Sequence, residues 1–163
     1  YRRALATADL PYDAALVQGG DWQSGSGFDG ALRLMRLERP PTAIFCANDL
    51  MAVGALEALR QLGLRVPDDV SVMGYDDQEI SRHTHPPLTT LVLPSYEMGQ
   101  AAVEQLLRLA ADGAGGANIA GGAVGTDSRA RRSLTKIDGP LVLRDSVGPA
   151  RATASRPDGT SAR

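Results

Sequence analysis

Apolar runs alternate with amphipathic stretches along this chain, and the pattern predicts strands separated by helices. Short apolar runs typical of strands occupy residues 14–18, 42–47, 70–73, 89–93 and 140–145. Apolar residues at helical spacing indicate helices at residues 1–10, 27–37, 49–62 and 96–111. Strands separated by long helices are typical of a parallel sheet covered on both faces. The predicted fold class is therefore α/β, a parallel sheet with flanking helices.

Residues with strong turn and cap preferences lie at the ends of these predicted elements. Asn48 or Asp49 can cap the helix that runs to residue 62, and Gly63 is expected to end it. Ser95 can cap the last long helix in the same way. The cap residues therefore support the boundaries that the periodicity indicates.

Composition and charge narrow the class of protein. The chain has 163 residues, 43% of them hydrophobic, and a formal net charge of -2, which argues against a broad electrostatic grip on nucleic acid by this segment. Cys46 is the single cysteine, so no intramolecular disulfide can form. No apolar run reaches the roughly 18 residues of a membrane span, and the first residues lack the apolar core of a signal peptide. A cytoplasmic protein without membrane contact is expected.

Two segments depart from the alternating pattern. Residues 112–139 are rich in glycine and alanine and predict a flexible loop. This segment carries a basic run, Arg129, Arg131, Arg132 and Lys136. Such a run could bind phosphate or nucleic acid, but in this setting it is more often a solvated loop. Residues 149–163 have the composition of a disordered tail.

Three polar or aromatic residues follow the first three predicted strands. Trp22 comes a few residues after the first strand, Asn48 directly after the second and Asp76 directly after the third. The carboxyl ends of parallel strands share one edge of a sheet, and open α/β sheets bind ligands there. A carboxylate, an amide and an indole face together suit a polyhydroxylated ring such as a sugar. The sequence therefore predicts that Trp22, Asn48 and Asp76 form a small-molecule site.

Each of these residues also has a purely structural interpretation. Asn48 would serve equally as a helix N-cap and Asp76 as a turn residue. A lone tryptophan such as Trp22 is more often a packing residue than a stacking platform. Asp77, the next residue in the turn, is expected to bond to backbone amides or to cap the segment 78–81. The coincidence of three such residues at one edge is what favours a pocket.

Metal binding and catalysis have weaker candidates. His83 and His85 could contribute to a metal site, but the sequence HTHPP lacks the helical or hairpin spacing that would preorganise them. The carboxylates that could join them are Asp76, Asp77 and Glu79. Cys46 lies in an apolar run, where a free cysteine usually behaves as a small hydrophobic residue. We predict neither a metal site nor a bound cofactor, and no enzymatic activity.

Three longer motifs occur in a fixed order along the chain. They are PTAIFCAND at 41–49, VPDDVSVMGYDD at 66–77 and PPLTT at 86–90. In this order they resemble the effector-binding region of the LacI/GalR family of bacterial transcriptional regulators, over about residues 1–111 and again at 141–147. The resemblance implies part of a type I periplasmic-binding-protein-like fold. It also implies that the effector contacts the asparagine of the AND motif, the first aspartate of the YDD motif and the aromatic residue of GDW, here Asn48, Asp76 and Trp22.

The family fold implies how this chain would be divided. Residues 1–92 would form most of a C-terminal effector-binding subdomain, and residues 93–111 would form a crossover and a helix belonging to an N-terminal subdomain absent from the chain. Residues 112–139 would be the loop, 140–148 a terminal strand and 149–163 the tail. The helix of the absent subdomain would expose apolar side chains, namely Met98, Val103, Leu106 and Leu107.

The resemblance also implies partners for a longer protein. A sugar or nucleoside effector would close a cleft, and operator DNA would be bound only through an upstream helix-turn-helix domain. Leu50, Val53 and Gly54 are apolar positions left over on the helix at 49–62, and the resemblance implies that they form a homodimer interface, because similar regulators build one with this helix. The alternative for this helix is complete burial inside the domain. The alternative function is a sugar-binding protein of a transport system, which shares the fold.

Overall fold

The computed structural model describes residues 1–113 and 135–149. Most of the loop expected at 112–139 lies outside these residues, as do the three arginines of the basic run. The tail expected at 149–163 lies outside them too, except for its first residue. The chain divides into two compact units, Tyr1–Val92 with Leu141–Arg163, and Leu93–Pro140.

Short strands and longer helices alternate along the described residues. The helices are α1 (Arg2–Thr7), α2 (Ser24–Met35), α3 (Asp49–Gln61), α4 (Ile80–His83) and α5 (Ser95–Gly113), with a 3₁₀ helix at Ala14–Leu16. The strands are β1 (Ala43–Phe45), β2 (Ser71–Met73), β3 (Thr90–Leu91) and β4 (Leu141–Val142). None of the described helices is long and apolar enough to cross a membrane.

The strands of the first unit confirm the α/β class. β1 and β2 are parallel, with Phe45 opposite Met73 at their carboxyl ends. Parallel bridges from Met73 to Thr89 and from Asp76 to Val92 continue this pairing towards β3. β4 differs from the prediction of a purely parallel sheet, because it pairs antiparallel with β3.

The hydrophobic core lies between the strands and the pair of helices α2 and α3. Its members are Ala31, Leu34, Ile44, Cys46, Ala52, Ala55, Leu56, Ala58, Leu59, Val70, Val72 and Leu88. Glycines allow the two helices to approach closely, because a Cβ at Gly54 would overlap the carbonyl oxygen of Ser24 and one at Gly27 would overlap that of Met51. Gly63 follows the end of α3 and adopts the left-handed conformation, with a φ of 70°. The sequence predicted that this glycine ends the helix.

The strand predicted at residues 14–18 is wrong. Residues Ala14–Leu16 form a 3₁₀ helix, and the carboxylate of Asp13 accepts a hydrogen bond of 2.8 Å from the amide of Ala15. An apolar run becomes a strand only where a neighbouring strand satisfies its backbone groups. The described residues provide no such neighbour here, and the local cap at Asp13 starts a helical turn instead.

β1 is less buried than its sequence predicted. Ile44 is buried, but Ala43 and Phe45 on the opposite face are exposed, and Phe45 is 58% exposed. A continuous apolar run is typical of a strand covered on both faces. The described part of the chain covers β1 on one face only.

The second unit contains the long helix α5, which extends the predicted 96–111 by a residue or two at each end. The apolar side chains that were predicted to be exposed on it are exposed, and they are Met98, Val103, Leu106 and Leu107. Side chains three and four positions apart lie on one helix face, so the last three of these form a continuous apolar strip.

Candidate functional site

The register of β1 and β2 brings two predicted site residues to the same edge of the sheet. Phe45 and Met73 are paired at the ends of the two strands. Asn48 lies three residues beyond Phe45, and Asp76 lies three residues beyond Met73. Because the strands are parallel and adjacent, both residues follow the carboxyl ends of neighbouring strands.

Asn48 also connects this edge to Trp22. Its side-chain nitrogen Nδ2 donates a hydrogen bond of 3.0 Å to the carbonyl oxygen of Trp22. Its Oδ1 accepts a bond of 2.9 Å from the amide of Met51 and so caps α3. The structural role of Asn48 as an N-cap is therefore realised, and the bond to Trp22 uses one of its two Nδ2 hydrogens.

Trp22 is presented on a constrained turn. Its φ is 70°. The neighbouring Asp21 stabilises the turn through hydrogen bonds of both its carboxylate and its backbone amide. The carboxylate of Asp21 accepts a bond of 3.0 Å from the amide of Gln23, and the amide of Asp21 donates to the hydroxyl of Ser26 at 3.1 Å. Trp22 is 61% exposed, so it is not the packing residue of the alternative interpretation.

A groove of about 450 Å³ runs beside Trp22 and is mostly apolar. Residues that line it include Leu16, Val17, Trp22, Phe45 and Met51. Asn48 and Asp76 do not line this groove. The structure thus links Asn48 to the backbone of Trp22, but the groove itself is not the three-residue pocket that was predicted.

Asp76 lies in a turn with an unusual backbone. Its φ is 116°, and its amide donates a bond of 2.8 Å to the carbonyl oxygen of Leu91. Its Oδ2 accepts a bond of 2.9 Å from the side chain of Gln78. The side chain is half-buried, and a carboxylate with two oxygens has further acceptor capacity after this single bond.

Asp49 is a buried residue of this edge that no sequence pattern indicated as a site residue. Its side chain is fully buried, its Oδ1 accepts 2.6 Å from the hydroxyl of Thr90, and its Oδ2 accepts 2.7 Å from the amide of Gln78. Burial raises the pKa of Asp49, while the bonds from Thr90 and Gln78 oppose that rise. Asp49 therefore ties the start of α3 to the turn that carries Asp76. From the sequence, either Asn48 or Asp49 could be the helix cap, and only Asn48 was predicted to be a site residue.

Asp77 was expected to bond to backbone amides or to cap residues 78–81. Its carboxylate pairs with Arg144 instead. Its Oδ1 accepts a bond of 2.6 Å from Nη2 of Arg144, and the hydroxyl of Ser81 also lies 3.3 Å from it. Burial opposes ionisation of Asp77, but the hydrogen bond and charge of Arg144, together with smaller contributions from Ser81 and Arg82, lower the pKa of the carboxyl. Arg144 lies 67 positions away along the chain, and no local pattern pointed to it.

The remaining titratable candidates lack site geometry. Nε2 of His83 lies 4.0 Å from the exposed carboxylate of Glu79. Within residues 1–113 and 135–149, no three histidine, cysteine or acidic side chains are grouped so that they could hold a metal ion. Burial, and then the charge of Asp49, raises the pKa of the Cys46 thiol to about 12. Cys46 is therefore protonated and packs as a core residue.

Comparison with known protein families shows which family this chain belongs to. A family model described as a periplasmic binding protein-like domain matches residues 1–147. The chain belongs to the periplasmic binding protein-like family. This confirms the periplasmic-binding-protein-like fold that the resemblance implied.

The relatives also confirm the resemblance to LacI/GalR regulators. The HTH-type transcriptional repressor PurR of Aliivibrio salmonicida is 41% identical over 107 residues, which are 66% of this chain and 32% of that protein. This chain therefore spans about a third of that relative's length. The matched proteins named here are transcriptional regulators rather than enzymes.

Two of the solved structures that share this fold show the extent of the likeness. A complex of the transcriptional regulator CelR with cellobiose is 32% identical, with a TM-score of 0.68, over 90% of this chain and 40% of its own. A lac repressor dimer bound to operator and the anti-inducer ONPF is also 32% identical, with a TM-score of 0.71, over 90% of this chain and 45% of its own. Both likenesses cover most of this chain but less than half of the solved one.

Proposed function

We propose that this chain is the effector-binding portion of a DNA-binding transcriptional repressor, and that Trp22, Asn48 and Asp76 contact the effector. The register of β1 and β2 is the observation that carries this proposal, since it sets Asn48 and Asp76 at equivalent positions beyond paired strand ends. The hydrogen bond from Asn48 to the Trp22 carbonyl adds the third residue.

The chemistry of these residues favours a small polyhydroxylated effector. The Asp76 carboxylate accepts hydrogen bonds from hydroxyl groups, and the Nδ2 hydrogen of Asn48 that does not bond to Trp22 donates one. The exposed indole of Trp22 offers an apolar face to the C–H side of a sugar or nucleoside ring. A related regulator, CelR, has been solved with cellobiose, which supports a sugar-like ligand.

The complete protein would respond to this ligand through linked equilibria. An effector that binds one conformation more tightly than another shifts the population, and the affinities for effector and operator change by the same factor. DNA binding itself would come from residues outside this chain. The alternative of a transport protein is not favoured, because the matched relatives named above are regulators.

We also propose that the complete protein forms a homodimer through α3. Leu50 and Val53 are partly exposed on this helix and are available for a partner. Gly54, which was assigned to the same interface, is buried against Ser24 and Phe28 of α2 instead. A lac repressor dimer on operator DNA has a related fold, and a two-fold dimer suits a palindromic operator.

Calorimetry on the complete protein tests the effector site. A panel of sugars and nucleosides that includes cellobiose should contain a compound that binds, and Asp76→Asn should weaken its binding by about tenfold or more, because a hydrogen bond to a charged group is lost. Glu79→Gln is the matched control, since it removes an exposed carboxylate three residues away. Equal losses of effector affinity in both variants, or no loss in Asp76→Asn, would show that Asp76 does not bind the effector.

A further inference from the structure

We propose that Arg144 and Asp77 form a positioning pair that holds the Asp76 turn in the backbone conformation from which Asp76 meets the effector. Neither residue touches the ligand in this proposal. The pair acts through the backbone of the turn, so the inference rests on the proposed function of Asp76.

The turn needs such support because its backbone conformation is unfavourable for residues other than glycine. Asp76 and Asp77 follow one another with φ values of 116° and 53°. Residues other than glycine rarely adopt positive φ, and they keep it only where the surrounding structure imposes it. Two consecutive positions of this kind therefore require partners that outweigh the local preference of the chain.

Arg144 supplies a short, charged contact from outside the turn. Its Nη2 donates to Oδ1 of Asp77 at 2.6 Å, and the side chains of Arg144 and Asp77 are only 14% and 13% exposed. Its Nη1 donates to the carbonyl oxygen of Leu88 at 2.7 Å and to the hydroxyl of Ser81 at 3.0 Å. The planar guanidinium thus fixes Asp77 relative to two other segments, which the single ammonium of lysine would not reproduce.

Arg144 is itself held in place by the residues around it. Its amide donates to the hydroxyl of Thr89 at 2.9 Å, and that hydroxyl donates back to the Arg144 carbonyl at 3.1 Å. Two residues later, the fully buried hydroxyl of Ser146 donates to the carbonyl of Val72 at 2.6 Å and accepts from the amide of Thr89 at 2.8 Å. The segment that carries Arg144 is thereby fixed to β2 and to the start of β3.

Arg82, which lies near the other oxygen of the Asp77 carboxylate, provides a control. Nη2 of Arg82 lies 3.5 Å from Oδ2 of the same carboxylate, and its side chain is 62% exposed. An exposed ion pair of this length contributes little to the conformation of either residue. Removing Arg82 therefore changes the charge near Asp77 without removing the contact that fixes it.

Hydrogen exchange on the complete protein without ligand tests the positioning role directly. The amides to follow are those of Asp76 and Gln78, which donate to Leu91 and Asp49. In Arg144→Gln we expect them to exchange about tenfold faster or more, because a charge-assisted hydrogen bond is lost. Arg144→Lys should recover part of the protection, and Arg82→Gln should leave it within about twofold of the wild type.

The amides of α3 serve as an internal reference in the same experiment. A purely structural role for Arg144 would accelerate exchange in α3 as much as in the turn. Equal acceleration in both places, or unchanged exchange at Asp76 and Gln78, would overturn the proposal. This result does not depend on knowing the effector.

Cellobiose titration of the same variants separates this inference from the proposed function. If wild-type protein binds cellobiose, Arg144→Gln should raise the dissociation constant by about tenfold or more, and Arg82→Gln should leave it within about twofold. Unchanged affinity in Arg144→Gln would contradict the positioning role. If wild-type protein binds no compound of the panel, the proposed function fails, while the exchange data still decide whether the pair holds the turn.

Discussion

At the scale of single residues, Asn48 performs two tasks that can be separated. Its Oδ1 caps α3 through the amide of Met51, and its Nδ2 holds the carbonyl of Trp22. Asn48→Ala should lower the free energy of unfolding by about 1–2 kcal/mol, because both the cap and the tether are lost. Urea denaturation followed by circular dichroism measures this change.

Serine at the same position is the matched comparison. Asn48→Ser keeps a side-chain oxygen that can cap α3, but it is too short to reach the Trp22 carbonyl. We expect it to recover most of the stability and to lose effector affinity. If Asn48→Ser binds effector as tightly as the wild type, the side-chain amide of Asn48 has no part in the site.

The residues of the edge could be predicted in part from the sequence. Asn48 and Asp76 were found because each directly follows an apolar run, and the structure sets them at matching positions. Asp49 and Arg144 were not found. Their roles depend on burial and on contacts with residues 41 and 67 positions away, which no local spacing reveals.

At the scale of the elements, the close packing of α2 and α3 depends on glycine. A Cβ at Gly54 would overlap the carbonyl oxygen of Ser24, so Gly54→Ala should force the helices apart. We expect it to lower the free energy of unfolding by about 1–3 kcal/mol, as is typical of overpacking. Thermal or urea unfolding of the complete protein would show this loss.

Gly25 in α2 provides the control for the same substitution. A Cβ at Gly25 would meet no atom within 4 Å. Gly25→Ala should therefore raise stability by up to about 1 kcal/mol through helix propensity alone. Stability in Gly54→Ala that equals or exceeds that in Gly25→Ala would show that the close approach of the helices is not required.

The elements themselves were predictable where the signal was local. The apolar spacing of α3, its cap at Asn48 and the glycine at its end together defined the helix to within about a residue at each end. The expected strand at residues 14–18 failed because pairing, and not the apolar run, decides between strand and helical turn. The antiparallel direction of β4 also could not be read from the run of apolar residues at 140–145.

At the scale of the whole molecule, α3 is expected to join two copies of the complete protein. Val53→Lys would place a charge at the proposed interface, where an unpaired charge is costly to bury. Sedimentation velocity should then show monomer where the wild type shows dimer. Gln61→Lys adds the same charge at an exposed position of the helix and should leave the dimer intact. A Val53→Lys protein that sediments as a dimer would place the interface elsewhere.

The central claim is that Trp22, Asn48 and Asp76 contact one ligand at the carboxyl edge of β1 and β2. The most direct test is a crystal structure of the complete protein with a compound that calorimetry shows to bind. We expect its hydroxyl groups to lie within hydrogen-bond distance of the Asp76 carboxylate and the Asn48 amide, with its ring against the indole of Trp22. A bound compound that touches neither Asn48 nor Asp76 would contradict the account.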